Sequence, residues 1–399
     1  MFMTKKQKIL IAACAVGVMN NGGMIISPAL ASIMESFSGV PEMLLQMLIT
    51  IPALMMVPSS IISSNINRRC PSKRIFEVCL FMLALAGILP YVFQYFPLIF
   101  ASRIIVGISI GAMIPLANSM ITNTYSGHEK DWAIGIFTAV GSLSGACMVY
   151  FSGVIVRYGW KYNFLIYLLA IIELIVVVAY CPKYDEVHME KESKDDKSAF
   201  VVNKVVIAVW IIFFVYMGFL NTFPPNIALF IQGEKLGTNT LCGLVSAVFL
   251  ISGFVSGLVY SKLTALFKRF TLALGLGITA LGIVVVSGSY NAWEVITGSC
   301  IAGFGMGITL PTGNLAAAAS VFPADSATAI AISSSGYQVA QFMTTFLVTP
   351  LATTIFGAGV IRGRFQVSAI VLCIWAVMVF CITGVFRNKQ RAIKEESER

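Results

Sequence analysis

The chain has 399 residues, 58% of them hydrophobic and 11% charged, with a mean hydropathy of +0.86 and a formal net charge of +9. A soluble domain carries roughly 25% charged residues, so the composition excludes an ordinary soluble fold and points to an integral membrane protein. The nine cysteines show no C-x-x-C spacing, and His128 and His188 lie far apart in polar loops, which argues against a metal cluster or a histidine-based catalytic centre; neither an enzyme nor a cofactor is expected.

In chain order, "MFMTKKQK" leads into an apolar run that is longer than a signal-peptide core and lacks an A-x-A cleavage site. It is therefore expected to open the first spanning helix. A helix needs about 20 apolar residues to cross a bilayer, and backbone amides in hydrocarbon must be paired within the segment, so the apolar runs should be helices. Such runs fall near 8–32, 43–65, 75–94, 98–122, 132–156 and 162–181, then near 204–230, 241–261, 269–289, 293–317, 327–352 and 365–386. The stretch "KYDEVHMEKESKDDKSAFVVNK" separates the two sets and reads as a flexible linker. The expected organisation is a six-helix bundle over 1–182, a linker over 183–203, and a second six-helix bundle with a short tail over 204–399.

Basic residues test this count independently, because they accumulate in cytoplasmic loops. With both termini cytoplasmic, 21 of the 27 basic residues fall inside, five (Arg157, Lys161, Lys235, Arg362 and Arg364) fall outside, and Arg103 lies within span 4. Gaining or losing one span would invert every later loop and spoil the asymmetry. The positive charge therefore faces the lipid surface rather than nucleic acid. The expectation is a monomeric multi-pass protein of the cell inner membrane, with the bilayer and a small-molecule substrate as its partners.

A repeat supports two related halves. "GISIGAMIPLAN" places Gly107, Gly111, Pro115 and Asn118 at a spacing that returns 196 residues later in "GFGMGITLPTGN" as Gly303, Gly307, Pro311 and Asn314. The register continues from Ala133, Ile134 and Ile136 to Ala329, Ile330 and Ile332, and from Glu129 to Asp325; at a slightly different offset Gly17 and Asn20 match Gly218 and Asn221. Parallel repeats of six spans build secondary transporters with a site near the midplane between the halves. Glycines four apart on one helical face let a neighbouring helix approach closely, and each proline removes a helical hydrogen bond and can kink its span.

"SRIIVGISIGAMIPLANSM", with Arg103 and Gly107, resembles the fourth-span motif of the major facilitator superfamily, and "GWKYNF", Gly159 to Phe164, resembles that family's G-W-R-x-x-F at the entry to span 6. The resemblance covers the whole chain. It implies an all-α membrane protein of twelve transmembrane helices in two pseudo-symmetric six-helix bundles, acting as a secondary transporter by alternating access. Two departures stand out. In the loop after span 2, "SSNINRRCPSKR" keeps the basic residues Arg69, Lys73 and Arg74 but puts Ser64, Arg68 and Pro71 where the family has glycine, aspartate and glycine. In span 5, Ala146 stands where exporters of the family often have proline.

Two charges lie within spans, Arg103 and Glu173. Such charges are costly and mark function by default, and the sequence leaves open whether each couples transport, anchors an anion or is structural. Neutral polar residues occupy the expected path: Asn20 and Asn21 in span 1, Asn221, Thr222 and Asn226 in span 7, Asn118 and Asn314 in spans 4 and 10, and Gln338 and Gln341 in span 11. "NTFPPN" should break span 7. Spans 1, 4, 7 and 10 hold no deep acid, so a coupling proton is compatible with the sequence but not written in it. The expected function is transport of a small organic solute, an organic anion or metabolite slightly favoured. A multidrug-type exporter and a non-transporting membrane sensor are the alternatives.

Overall fold

Span 1 begins where Thr4 caps a helix through a reciprocal box: Gln7 N donates to Thr4 Oγ1 at 3.3 Å and Thr4 N to Gln7 Oε1 at 3.0 Å. In this computed structural model, which describes residues 4–67, 69–182, 203–321, 326–357 and 359–397, the apolar runs form twelve helices long and apolar enough to cross a membrane. They are Lys5–Ser36, Glu42–Asn67, Ser72–Val92, Phe96–Thr124, Trp132–Tyr158 and Trp160–Tyr180, followed by Lys204–Gly233, Asn239–Phe267, Thr271–Gly288, Ala292–Ala319, Ala329–Phe356 and Ile361–Ile382. No strand occurs among the described residues. The chain is an all-helical multi-pass membrane protein, with each span where its apolar run placed it. Arg68, Asp325 and most of the expected linker (183–202) lie outside the described residues.

Among the described residues, spans 1 and 7 break near their middles, and span 6 opens as a 3-10 stretch, Trp160–Leu168, before its α-helix, Leu169–Tyr180. The first helix of span 1, Lys5–Val18, gives way to a tight 3-10 stretch, Met19–Met24, then to Ser27–Ala29, and resumes as Leu30–Ser36. Gly22 and Gly23 weaken helix propagation here, and Pro28 supplies no amide donor. Span 7 runs from Lys204 to Leu220, stops at Asn221, and restarts as Phe223–Gly233 with Pro224 and Pro225 in its first turn, where a missing N–H costs nothing. The break expected at "NTFPPN" is present. The break in span 1, at the matching asparagine register, had no comparable proline signal before residue 28. Pro115 and Pro311 behave differently: their helices continue unbroken through both residues.

By contact the chain divides into two compact units. The first comprises spans 1–6 with Pro224–Ala247 and Gln341–Thr345; the second comprises 203–223, Val248–Ala340 and 346–397. In the first unit, Gly107 and Gly111 of span 4 cross span 2. A Cβ on Gly107 would lie 2.7 Å from Pro52 Cα, and one on Gly111 2.5 Å from Met56 Cα. In the second unit, Gly303 and Gly307 of span 10 cross span 8. A Cβ on each would lie 2.8 Å from the Phe249 carbonyl carbon and 2.9 Å from that of Gly253. The two crossings are the same construction in the two repeats, and only a missing side chain permits either. The first unit also ties the second helix of span 7 and the start of span 8 to spans 1, 2 and 5. Ser27 Oγ donates to Pro224 O, Gln46 Nε2 to Asn226 Oδ1 at 3.3 Å, and Asn239 Nδ2 to Ser32 Oγ at 3.3 Å, while a Cβ on Gly243 would lie 2.9 Å from Gly153 Cα.

Candidate functional site

Unwinding a helix in hydrocarbon strands carbonyl oxygens, and each needs a donor. The break in span 1 draws side-chain donors from three other spans, and Gly22 O also accepts from Ile25 N at 3.4 Å. Ser144 Oγ of span 5 shares its one hydrogen between Val18 O at 2.9 Å and Val140 O of its own helix at 2.6 Å, and Ser152 Oγ donates to Ile25 O at 2.5 Å. Tyr167 Oη of span 6 donates to Gly22 O at 2.6 Å, and Arg103 Nη2 of span 4 to Gly23 O at 2.7 Å. Asn21 reaches back, with Nδ2 on Gly141 O at 3.0 Å, and its side chain fills the space that a Cβ on Gly145 would need, 2.7 Å away.

Arg103 is fully buried. Its Nε donates to Leu48 O of span 2 at 2.8 Å, its Nη1 to Tyr167 Oη, and its guanidinium lies 5.5 Å from the Tyr167 ring centroid. The rigid fork of the guanidinium suits this arrangement, since one side chain holds spans 1, 2, 4 and 6 together on neutral acceptors. Glu173, by contrast, is 5% exposed and neither carboxylate oxygen has a hydrogen-bond partner among the described residues.

The amides divide into bonded and free. In the second unit Asn221 Nδ2 closes onto Met217 O of its own helix at 2.9 Å, Thr222 and Ser368 share a hydrogen bond at 2.7 Å, and Asn314 Oδ1 accepts from Ser334 Oγ at 3.4 Å. Asn20, Asn118, Gln338 and Gln341 make no hydrogen bond among the described residues; Asn20 is exposed and the other three half-buried. Asn20 therefore stands on the broken stretch of span 1 with its amide unengaged. The loop after span 2 also has a structural task. Lys73 Nζ donates to Val178 O at 2.7 Å and Cys181 O at 3.1 Å, capping the last carbonyls of span 6, while Arg69 and Arg74 are exposed. At the same end Lys6 and Glu129 pair at 2.7 Å in an exposed bridge, and Tyr125 Oη donates to Lys6 O. Burial raises the Tyr125 hydroxyl above its ordinary pKa, Lys6 lowers it in part and Glu129 raises it.

Sequence reasoning did not single out Tyr167, Ser144 or Ser152. The signal available was a hydroxyl on the buried face of an apolar run, which in hydrocarbon must find an acceptor. "GWKYNF" does more than resemble a motif: Trp160 Nε1 donates to Ser36 Oγ at 2.8 Å, and Asn163 Nδ2 to Ser152 Oγ at 2.9 Å.

A profile described as the Major Facilitator Superfamily matches residues 11–232 and again 209–398. The chain is 30% identical over 218 residues to an uncharacterized MFS-type transporter, YfiU, of Bacillus subtilis (strain 168); the match covers 51% of this chain and 40% of that protein, well under two thirds of the relative's length. Among solved structures it is similar to the nucleoside transporter NupG (TM-score 0.76, 10% identity, 95% of this chain and 99% of that one). It is also similar to a bacterial homolog to the human lysosomal transporter Spinster, inward-facing and unoccupied (TM-score 0.72, 14% identity, 97% and 99% covered). At these identities the structural likeness concerns the fold alone.

Proposed function

Because this chain belongs to the major facilitator superfamily, we propose that it is a secondary transporter carrying a small organic solute across the cytoplasmic membrane by alternating access, with both termini inside. The observation that carries the site assignment is Asn20: an exposed, unbonded amide on the unwound stretch of span 1, whose carbonyls at Val18, Gly22, Gly23 and Ile25 are already satisfied. Free amides are the groups left to meet a substrate. The organic-anion reading leaned on Arg103, and all three of its donor nitrogens are engaged within the fold. A neutral solute with hydrogen-bonding groups is therefore the favoured class, and a multidrug-type exporter of uncharged compounds is the second reading.

Melting of the purified protein against neutral metabolites, carboxylates and cationic drugs tests this. A ligand at a hundredfold excess over its Kd stabilises by about 2.7 kcal/mol, enough to shift the transition visibly. The strongest shifts are expected from neutral compounds, and Asn20→Ala should weaken the best of them roughly tenfold, the value of one hydrogen bond at ~1.4 kcal/mol. Unchanged affinity in Asn20→Ala would remove the site from span 1.

Alternating access requires the second helix of span 7 and the start of span 8 to leave their contacts with spans 1, 2 and 5. Ser32 and Asn239 face each other at 3.3 Å. With the exposed Cys147, Cys300 and Cys381 replaced by serine, the pair Ser32→Cys and Asn239→Cys should cross-link under mild oxidation, abolish uptake into vesicles, and recover it on reduction. Full uptake in the cross-linked protein would exclude the proposed motion.

A further inference from the structure

A groove of about 970 Å³ lies in the first unit between spans 1, 5 and 6, walled by Val18, Met148, Phe151, Leu165, Leu169 and Ile172. It is at the upper end of the ~300–1,000 Å³ common for small-molecule sites. Its lining is almost wholly hydrocarbon: Ser144 Oγ is taken up by Val18 O and Val140 O, which leaves only the Cys147 thiol and the hydroxyls of Tyr158 and Tyr162 as polar features. The groove opens onto an apolar flank where Phe151, Ile172 and Ile175 are 57%, 60% and 63% exposed, a surface that only a bilayer can cover.

One end of the groove is different. Tyr158 and Tyr162 line it there, and each has a basic neighbour in sequence, Arg157 and Lys161. Lys161 Nζ lies 5.5 Å from the Tyr162 ring centroid, and Arg157 uses Nε on Val154 O at 3.1 Å. Neither cation is ion-paired among the described residues. These are two of only five basic residues, out of 27, that the charge asymmetry assigns to the outside. Two tyrosines at the rim of a hydrocarbon groove, one with a cation beside its ring and both next in sequence to a basic residue, match an amphiphile with an anionic head, and a guanidinium fork fits a phosphate.

We propose that this groove holds one anionic glycerophospholipid of the surrounding leaflet, with its acyl chain along spans 5 and 6 and its phosphate between Arg157 and Lys161. Asn20 is not among the residues that line the groove, and transport need not be measured to test the proposal.

Cys147 is exposed and lines the groove, whereas Cys300 and Cys381 are exposed elsewhere. In nanodiscs of phosphatidylcholine, replacing part of the lipid by phosphatidylglycerol is expected to slow maleimide labelling of Cys147 severalfold and leave Cys300 and Cys381 unchanged. In Arg157→Gln with Lys161→Gln, the phosphatidylglycerol needed for the same protection should rise roughly fivefold for each cation removed. Native mass spectrometry of the unaltered protein, which does not depend on the variant folding, should retain a single phosphatidylglycerol in preference to phosphatidylcholine. Labelling of Cys147 that ignores phosphatidylglycerol would overturn the proposal. So would equal protection by phosphatidylcholine, or equal retention of both lipids.

Discussion

Arg103→Ala is expected to leave little folded protein, whatever the substrate. The substitution removes the donors to Leu48 O, Gly23 O and the Tyr167 hydroxyl at once, in a place where the guanidinium is fully buried and water cannot substitute. A buried polar group left unsatisfied costs about 1–3 kcal/mol, so the loss should reach several kcal/mol, a large share of any membrane protein's margin. Arg103→Lys keeps the charge but offers a point donor on a flexible stem in place of a planar fork, and it should fall between the two. Tyr167→Phe removes the donor to Gly22 O and one acceptor of Arg103, so its effect should be smaller than that of Arg103→Ala. The measurement is the melting temperature and monodisperse fraction in mild detergent, taken beside uptake in vesicles. If Arg103→Ala melts like the parent yet transports nothing, the arginine serves the substrate or the coupling step and the structural role fails.

What the sequence disclosed, and what it did not, follows from which interactions have a local signature. The twelve spans were legible because hydrocarbon imposes one requirement on every residue of a crossing helix. The break in span 7 was legible because Pro224 and Pro225 forbid an internal hydrogen bond. The break in span 1 has glycines and one later proline, a pattern common in ordinary membrane helices. Its cause is distributed among Ser144, Ser152, Tyr167 and Arg103, residues far apart in sequence that jointly replace the lost bonds. The asparagines were legible as polar residues in hydrocarbon, but not which of them would be free. In the sequence Asn221 matches Asn20 in the repeat register and Asn21 adjoins it, yet each is bonded, Asn21 across to Gly141 O and Asn221 to its own helix. Lys73 likewise kept its place in a recognisable loop pattern, while its acceptors, the carbonyls of Val178 and Cys181, could be known only from the fold.

The repeat makes a prediction that ordinary membrane-helix packing does not. Gly107→Val and Gly303→Val should each destabilise strongly and to a similar extent, because each new side chain meets backbone, at Pro52 Cα and at the Phe249 carbonyl carbon, within 2.7 and 2.8 Å. Backbone cannot turn aside as a flexible side chain can. Overpacking usually costs about 1–3 kcal/mol, and the valines should lie at or above the top of that range. Gly257 and Gly277 supply the contrast. Both lie within spans, and a Cβ on either meets nothing within 4 Å. Alanine there should be neutral or stabilising, since a helical glycine costs up to about 1 kcal/mol relative to alanine. Melting curves of the four variants separate two explanations of the glycine content. If all four destabilise alike, glycine serves general flexibility in this chain and the matched spacing in spans 4 and 10 is incidental. If only Gly107 and Gly303 respond, the duplicated pattern specifies two equivalent crossings, span 4 on span 2 and span 10 on span 8. One helix-crossing geometry is then specified twice, by the same glycine spacing in spans 4 and 10.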